Sequence, residues 1–159
     1  MPTIDNNLPK IVTRVDGLDS LERLVISRLM LVEIEHYCVS DPLVETCGLI
    51  GGMGEIAHTF YPTKNIANDP QHGYLVDPED QISAFRTMAQ RREEMLGIVH
   101  SHPNSGAQPS ATDLAQAAYP GVAYLIVSLR DDAVLSEAYL FTGRNFEKLA
   151  LEVVDLPKC

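Results

Sequence analysis

The residues best suited to chemistry lie in residues 97–113, where two histidines, a serine and an aspartate are closely spaced. The apolar run 95–99 predicts a short buried strand that ends in His100 and His102. Residues two apart on a strand point to the same face, so both imidazoles should project from one side. Together with the Asp113 carboxylate they make a three-ligand set suited to zinc, with a fourth position left for water. Such an open site is typical of a catalytic metal.

Each part of this pattern also has an interpretation that needs no catalysis. A single His-x-His pair on a strand more often reflects packing or surface polarity than a metal site. Ser110 and Asp113 are spaced nearly as in a capping box, so they could simply close the N-terminus of a helix. The combination favours function, because a helix cap does not require a histidine pair on the preceding strand.

The combined pattern resembles the signature of the JAMM (MPN+) metalloproteases, in the compact prokaryotic form. It consists of His100-x-His102, seven intervening residues and Ser110-x-x-Asp113, preceded by Glu45 in the sequence E-T-C-G. The resemblance spans roughly residues 31–155 and implies one zinc ion per chain, bound by the two histidines and the aspartate. It also implies that Glu45 is the general base for a metal-activated water and that Ser110 stabilises the oxyanion.

The resemblance further implies hydrolysis of a peptide or isopeptide bond without an acyl-enzyme. No histidine follows His102 and the only later cysteine is Cys159, so the second, structural zinc site of some eukaryotic relatives is absent. The expected substrate is therefore a ubiquitin-like or sulfur-carrier protein with a Gly-Gly tail. This tail would lie alongside a sheet edge, near the polar loop of residues 65–73.

Three other functions compete with this interpretation. A cysteine protease would pair Cys47 with His100 or His102, but it leaves Asp113 and the second histidine unexplained. RadC-like proteins, associated with DNA repair, share a similar histidine pattern, and some family members are non-catalytic interaction modules. The filled set of ligand positions argues against a metal-free module.

The composition narrows the class of partner and the compartment. Of 159 residues, 45% are hydrophobic, which is ordinary for one globular domain. A net charge of −10 argues against nucleic acid, whose phosphates require a basic surface, and a protein partner or a homodimer is compatible with it. No run approaches the length of a membrane span, and the N-terminus does not resemble a signal peptide. Three scattered cysteines predict a reduced, cytoplasmic protein without a disulfide framework.

The strands and helices predicted around the site indicate an α+β fold, with a mixed, largely antiparallel β-sheet flanked by helices. The resemblance adds a core like that of the cytidine deaminases. Residues 1–19 are expected to be an N-terminal arm or edge strand, and residues 20–159 a single domain. Helices are predicted from Ser20 to about residue 36, after the Asp77 cap, and after Ser110. Strands are predicted at residues 47–53, 55–61, 74–77, 95–99, 122–129, 133–141 and 147–154.

Overall fold

The computed structural model describes residues 21–156, so the arm predicted for residues 1–19 lies outside the described residues. Strands and helices are both present, which confirms the predicted α+β class. None of the helices in this part of the chain is long and apolar enough to cross a membrane. The elements are β1 (Arg23–Ser27), α1 (Arg28–Ser40), β2 (Cys47–Met53), β3 (Ile56–Thr63), α2 (Pro78–Arg91), β4 (Glu94–His102), α3 (Ala111–Gln116), β5 (Ala123–Ser128), β6 (Leu135–Phe141) and β7 (Phe146–Val154).

The seven strands in the described part of the chain close into a barrel in the order β1-β3-β2-β4-β5-β6-β7. Within residues 21–156, the pairs β2–β3, β2–β4, β5–β6 and β6–β7 are antiparallel, whereas β1–β3, β1–β7 and β4–β5 are parallel. The predicted mixed, largely antiparallel sheet is therefore confirmed. Its closure was not predicted, because pairing of β1 with β7 joins residues more than a hundred positions apart.

Helices cover both faces of the central strands. Leu49 and Ile98 pack with the buried residues of α2, while the next residues, Ile50 and Val99, pack with those of α1. This alternation follows from the two-residue period of a strand. Two faces are thus defined for β2 and β4, and the one covered by α2 carries the site described below.

The helix predicted to begin at Ser20 is wrong in its first part. Strand β1 occupies this stretch, and α1 begins only at Arg28, where the Ser27 hydroxyl accepts a hydrogen bond from the Met30 backbone N–H. The central residues of β1 are all buried, because this strand runs in parallel between β3 and β7. A strand buried on both faces is continuously apolar, and such a run also satisfies helical spacing.

The other predicted elements agree with the structure to within a few residues, with one exception. Strand β2 has the predicted bounds, and Asp77 caps α2 with Pro78 in its first turn. The short strand predicted at residues 74–77 is instead a single bridge between Asn65 and Val76. We call residues 64–77, which this bridge closes into a loop, the site loop.

The β2–β3 hairpin depends on a glycine at its bulge, and we expect Gly52→Ala to destabilise the protein. A Cβ atom at Gly52 would lie 2.0 Å from the Ile56 carbonyl oxygen, which the hairpin holds in place. The free energy of unfolding should fall by about 3 kcal/mol, measured by urea denaturation. Gly73→Ala is the control, since its Cβ would meet no atom closer than 3.9 Å, and its unfolding free energy should not decrease. Equal stability of the two variants would contradict the hairpin geometry.

Candidate metal centre

His100 and His102 lie at the end of β4, on the face that α2 covers. Both side chains are almost fully buried, with exposed fractions of 1% and 2%. The start of antiparallel β2 and the end of parallel β5 lie on either side of this strand end. The two imidazoles are therefore held by three paired strands rather than by a flexible loop.

Asp113 reaches the histidines from the first turn of α3. Its Oδ2 atom lies 3.2 Å from His100 Nε2 and 3.0 Å from His102 Nε2. The same oxygen accepts the Ser110 backbone N–H at 2.9 Å, and the Asp113 N–H donates to Ser110 Oγ at 3.0 Å. This is a complete capping box, so the local fold of the helix start aims the carboxylate at the histidine pair.

The geometry of these three side chains fits a tetrahedral metal ion. The two Nε2 atoms are 3.1 Å apart, so all three ligand atoms lie 3.0–3.2 Å from one another. A tetrahedral zinc ion with bonds of about 2.0–2.1 Å spaces its ligand atoms by about 3.3 Å. His102 Nδ1 donates to the Gly106 carbonyl oxygen at 2.8 Å, so Nε2 is the nitrogen that can ligate a metal once its own proton is lost. We conclude that the donor set suits a divalent cation.

Glu45 is placed beside this cluster by strand pairing. The β2–β4 register pairs Cys47 with His100. Continued by two residues, it places Glu45 opposite His102, with both side chains on the same face. Glu45 is buried, and its Oε2 atom has no hydrogen-bond partner among residues 21–156. Burial, assisted by the nearby Asp113 carboxylate, raises the pKa of Glu45 to about 7.

The electrostatics of the cluster also suit a bound cation. Burial opposes ionisation of Asp113, but hydrogen bonds from His100 and His102 outweigh it and hold the pKa of this carboxyl well below its usual range. Burial lowers the pKa of His100, which keeps this ring neutral at pH 7, the form that ligates metals. Burial alone would lower the pKa of His102, but its hydrogen bonds to the Asp113 carboxylate and the Gly106 carbonyl raise it, so this ring gives up a proton when a cation binds. A carboxylate with two imidazole nitrogens is a common ligand set for zinc.

Ser110 is exposed at the mouth of the cluster, where its oxygen serves as the helix cap. In accepting the Asp113 N–H, the hydroxyl uses a lone pair and keeps its own proton for donation. The sequence suggests two roles for Ser110, helix capping and oxyanion stabilisation. The structure allows the same hydroxyl to serve both.

Cys47, the nucleophile of the competing cysteine-protease interpretation, is unsuited to that chemistry. Its thiol is buried and lies 3.3 Å from Thr63 Oγ1. Burial raises the pKa of Cys47 to about 11, so the thiolate is scarce at neutral pH. The residue behaves as a small core side chain.

Two residues of the site loop contact the centre without having been identified from the sequence. The Tyr74 ring stacks on His100, with ring centroids 4.4 Å apart and an interplanar angle of 22°. The Asn65 side chain donates to the Glu45 carbonyl oxygen at 2.8 Å. No sequence signal marks the stacking, whereas an asparagine at the start of a polar loop is a weak indication of side-chain bonding to backbone groups.

A pocket of about 390 Å³ adjoins the centre behind Tyr74. Leu49 and Ile98 form its floor on the sheet, and the end of α3 with residues 118–119 forms another wall. Its lining is mostly apolar, with the Gln81 side chain bonded to the Tyr119 hydroxyl at 2.8 Å. An apolar pocket beside convergent polar groups is typical of a ligand-binding site.

Comparison with known proteins places this arrangement in a family. Residues 29–140 match the family described as prokaryotic homologs of the JAB domain. A desampylase of Haloferax volcanii is 36% identical over 116 residues, which cover 71% of this chain and 81% of that protein. A CysO-cysteine peptidase of Mycobacterium tuberculosis is 33% identical over 89 residues, or 55% of this chain and 60% of that protein.

Among solved structures, a protein of Desulfitobacterium hafniense superimposes with a TM-score of 0.74 and 28% identity, covering 83% of this chain and 93% of that one. The fold and the matched sequence therefore agree with the resemblance inferred from Glu45, the two histidines, Ser110 and Asp113. The chain belongs to the family of prokaryotic homologs of the JAB domain, the prokaryotic JAMM metallopeptidases.

Proposed function

We propose that this protein is a zinc-dependent peptidase that cleaves a peptide or isopeptide bond at the C-terminus of a ubiquitin-like or sulfur-carrier protein. The observation that carries the proposal is the buried cluster of His100, His102 and Asp113 beside the buried Glu45. The names of the relatives support the substrate class, since one is a desampylase and another a CysO-cysteine peptidase. The leaving group would be an attached amino acid or a lysine amine.

The three clustered side chains would hold the metal, and Glu45 would move the proton. A zinc ion bound there supplies Lewis acidity and a nucleophilic water at neutral pH. The Glu45 carboxylate would accept a proton from the attacking water as the water oxygen bonds to the scissile carbonyl carbon. Glu45 then delivers the same proton to the nitrogen as the C–N bond breaks, so the carboxylate is regenerated and no acyl-enzyme forms.

Ser110 would stabilise the negative charge that develops on the carbonyl oxygen. Its hydroxyl proton has no hydrogen-bond acceptor among residues 21–156, and the capping box holds its position at the edge of the cluster. A donor aimed at a developing oxyanion in a site shielded from water is typically worth about 3 kcal/mol of transition-state stabilisation.

The site loop is the best candidate for contact with the tail of the carrier. The tail was expected alongside a sheet edge, but among residues 21–156 each of the seven barrel strands pairs on both sides, so no free edge is available there. The site loop is instead the segment that lies beside the metal centre. Leu75 is 55% exposed on this loop, and Leu114 is 38% exposed on α3, so two apolar side chains flank the approach. A Gly-Gly tail, having no side chains, would pass between them to reach Glu45.

Two competing functions predict different binding behaviour. An interaction module would bind its partner equally well after loss of the metal or of Glu45. A RadC-like protein would bind DNA at low salt, which a net charge of −10 opposes. The cytoplasmic location and a homodimer stay predictions from the sequence.

Metal content tests the ligand set directly. We expect about one zinc per chain in untagged protein by elemental analysis, and its loss in His100→Ala and in Asp113→Ala, because each removes one of three protein ligands. His36→Ala, on the exposed face of α1, is the control and should keep its zinc. Wild-type protein that stays metal-free after incubation with zinc would contradict the proposal.

Replacing the proposed general base should separate catalysis from metal binding. We expect Glu45→Gln to keep its zinc but to lose roughly 100- to 10,000-fold in kcat on a carrier-protein fusion, since the amide cannot accept a proton. Glu33→Gln makes the same chemical change on the exposed side of α1 and should leave kcat unchanged. Retention of wild-type kcat by Glu45→Gln would exclude Glu45 as the base.

Two substitutions of Ser110 distinguish capping from oxyanion stabilisation. Ser110→Ala should lose about 1 kcal/mol of stability, whereas Ser110→Gly should lose only a few tenths, because glycine is tolerated as an N-cap. Both remove the hydroxyl, so we expect kcat to fall by roughly 100- to 1,000-fold in both. A kcat loss confined to the less stable alanine variant would show that Ser110 serves only the helix.

A further inference from the structure

The backbone of Glu45 itself hydrogen-bonds to the site loop, whereas the next residue, Thr46, bonds to Ser101 of β4. Glu45 lies two residues before β2 begins, beyond the last pair of the strand ladder. Its N–H donates to the Pro70 carbonyl oxygen at 2.7 Å, and its carbonyl oxygen accepts from Asn65 Nδ2 at 2.8 Å. Both partners belong to the site loop, so this loop and the β4 contacts of Thr46 together determine where the Glu45 backbone lies.

Asn65 is the centre of that loop. Its Nδ2 donates to the Glu45 carbonyl and, at 3.0 Å, to the Gly73 carbonyl. Its Oδ1 accepts the backbone N–H groups of Ala67 and Leu75, each at 3.0 Å. A primary amide has two donor hydrogens and two acceptor lone pairs, and here all four are used on backbone groups. One side chain therefore ties both ends of the loop to each other and to Glu45.

The same loop touches the metal cluster on its other side. Tyr74, between two of the residues that Asn65 holds, stacks on the His100 ring. The Ile66 N–H donates to the Leu75 carbonyl oxygen at 2.9 Å, which closes the loop next to Asn65. A displacement of the loop would thus shift the Glu45 backbone relative to the cluster that Tyr74 contacts.

We propose that Asn65 is a positioning residue, which fixes Glu45 over the metal centre and fixes the loop that receives the substrate tail. The catalytic part of this inference rests on the proposed peptidase function. The structural part, that Asn65 holds Glu45 and the loop together, stands independently of any activity.

Two substitutions of Asn65 distinguish the effect of its two donor hydrogen bonds from that of its two acceptor hydrogen bonds. Asn65→Asp keeps an acceptor for the N–H groups of Ala67 and Leu75 but loses both donors, including the one to Glu45. Asn65→Ala loses all four. Asn68→Asp and Asn68→Ala are the matched controls, because Asn68 is exposed in the same loop and the Asp variant adds the same charge.

The first readout is backbone amide hydrogen exchange by NMR, which requires no substrate. We expect the Glu45 amide to exchange at least tenfold faster in both Asn65 variants, since its bond to the Pro70 carbonyl depends on the position of the loop. The Ala67 and Leu75 amides should lose protection only in Asn65→Ala. Amides of buried β4, such as that of Val99, and all amides in the Asn68 controls should keep wild-type rates.

The second readout is steady-state cleavage of a carrier-protein fusion by zinc-loaded variants. We expect kcat to fall by roughly 10- to 100-fold in both Asn65 variants, because the base is displaced. KM should rise only in Asn65→Ala, in which the loop backbone is also released. A loss of general stability would also lower apparent kcat with KM unchanged, but it would speed exchange of the buried β4 amides such as that of Val99, so the first readout distinguishes the two causes.

Two results would overturn the inference. One is wild-type protection of the Glu45 amide in both Asn65 variants. The other is loss of that protection with kcat unchanged, which would mean that catalysis does not need Glu45 held in this way. If the wild-type protein cleaves none of the carriers, the proposed function fails, and the exchange rates alone still decide whether Asn65 holds Glu45.

Discussion

The antiparallel pairing of β2 with β4 is the constraint on which the centre depends. It brings the start of one strand, with Glu45, beside the end of the other, with the two histidines. Leu49 and Ile98 are partners in this register and pack in one cluster beneath α2, which holds the register in place. A slip of one residue would turn Glu45 to the opposite face, because side chains alternate along a strand. The same β2–β4 register is therefore required both for core packing and for the geometry of the site.

The centre also concentrates negative charge that a bound cation would relieve. Glu45 and Asp113 are both buried, and each carboxylate disfavours ionisation of the other. Two neutral or partly charged imidazoles cannot fully compensate two buried negative charges. A divalent ion would lower the pKa of Glu45 from about 7 and stabilise the whole arrangement. The protein is thus expected to be more stable with its metal than without it.

The side chains of the site are held in place partly by contacts close in sequence and partly by contacts distant in sequence. The capping box at the start of α3 orients Asp113 through contacts within four residues. His102 is oriented by a carbonyl only four residues away, at Gly106. Glu45, in contrast, depends on Asn65, twenty residues later, and His100 is covered by Tyr74. The residue proposed as the general base is therefore held by contacts that are distant in the chain.

The sequence by itself determined the strand that ends in the histidine pair, the capped helix that follows it and the α+β class. Each of these follows from local spacing, because residues two apart share a strand face and residues three apart close a helix cap. The resemblance to a family then linked Glu45 to the histidines. Only the tertiary structure decided that residues 23–27 form a strand, that the sheet closes into a barrel and that Asn65 and Tyr74 border the centre. These features depend on contacts between residues far apart in the chain, and the spacing of neighbouring residues carries no record of such contacts.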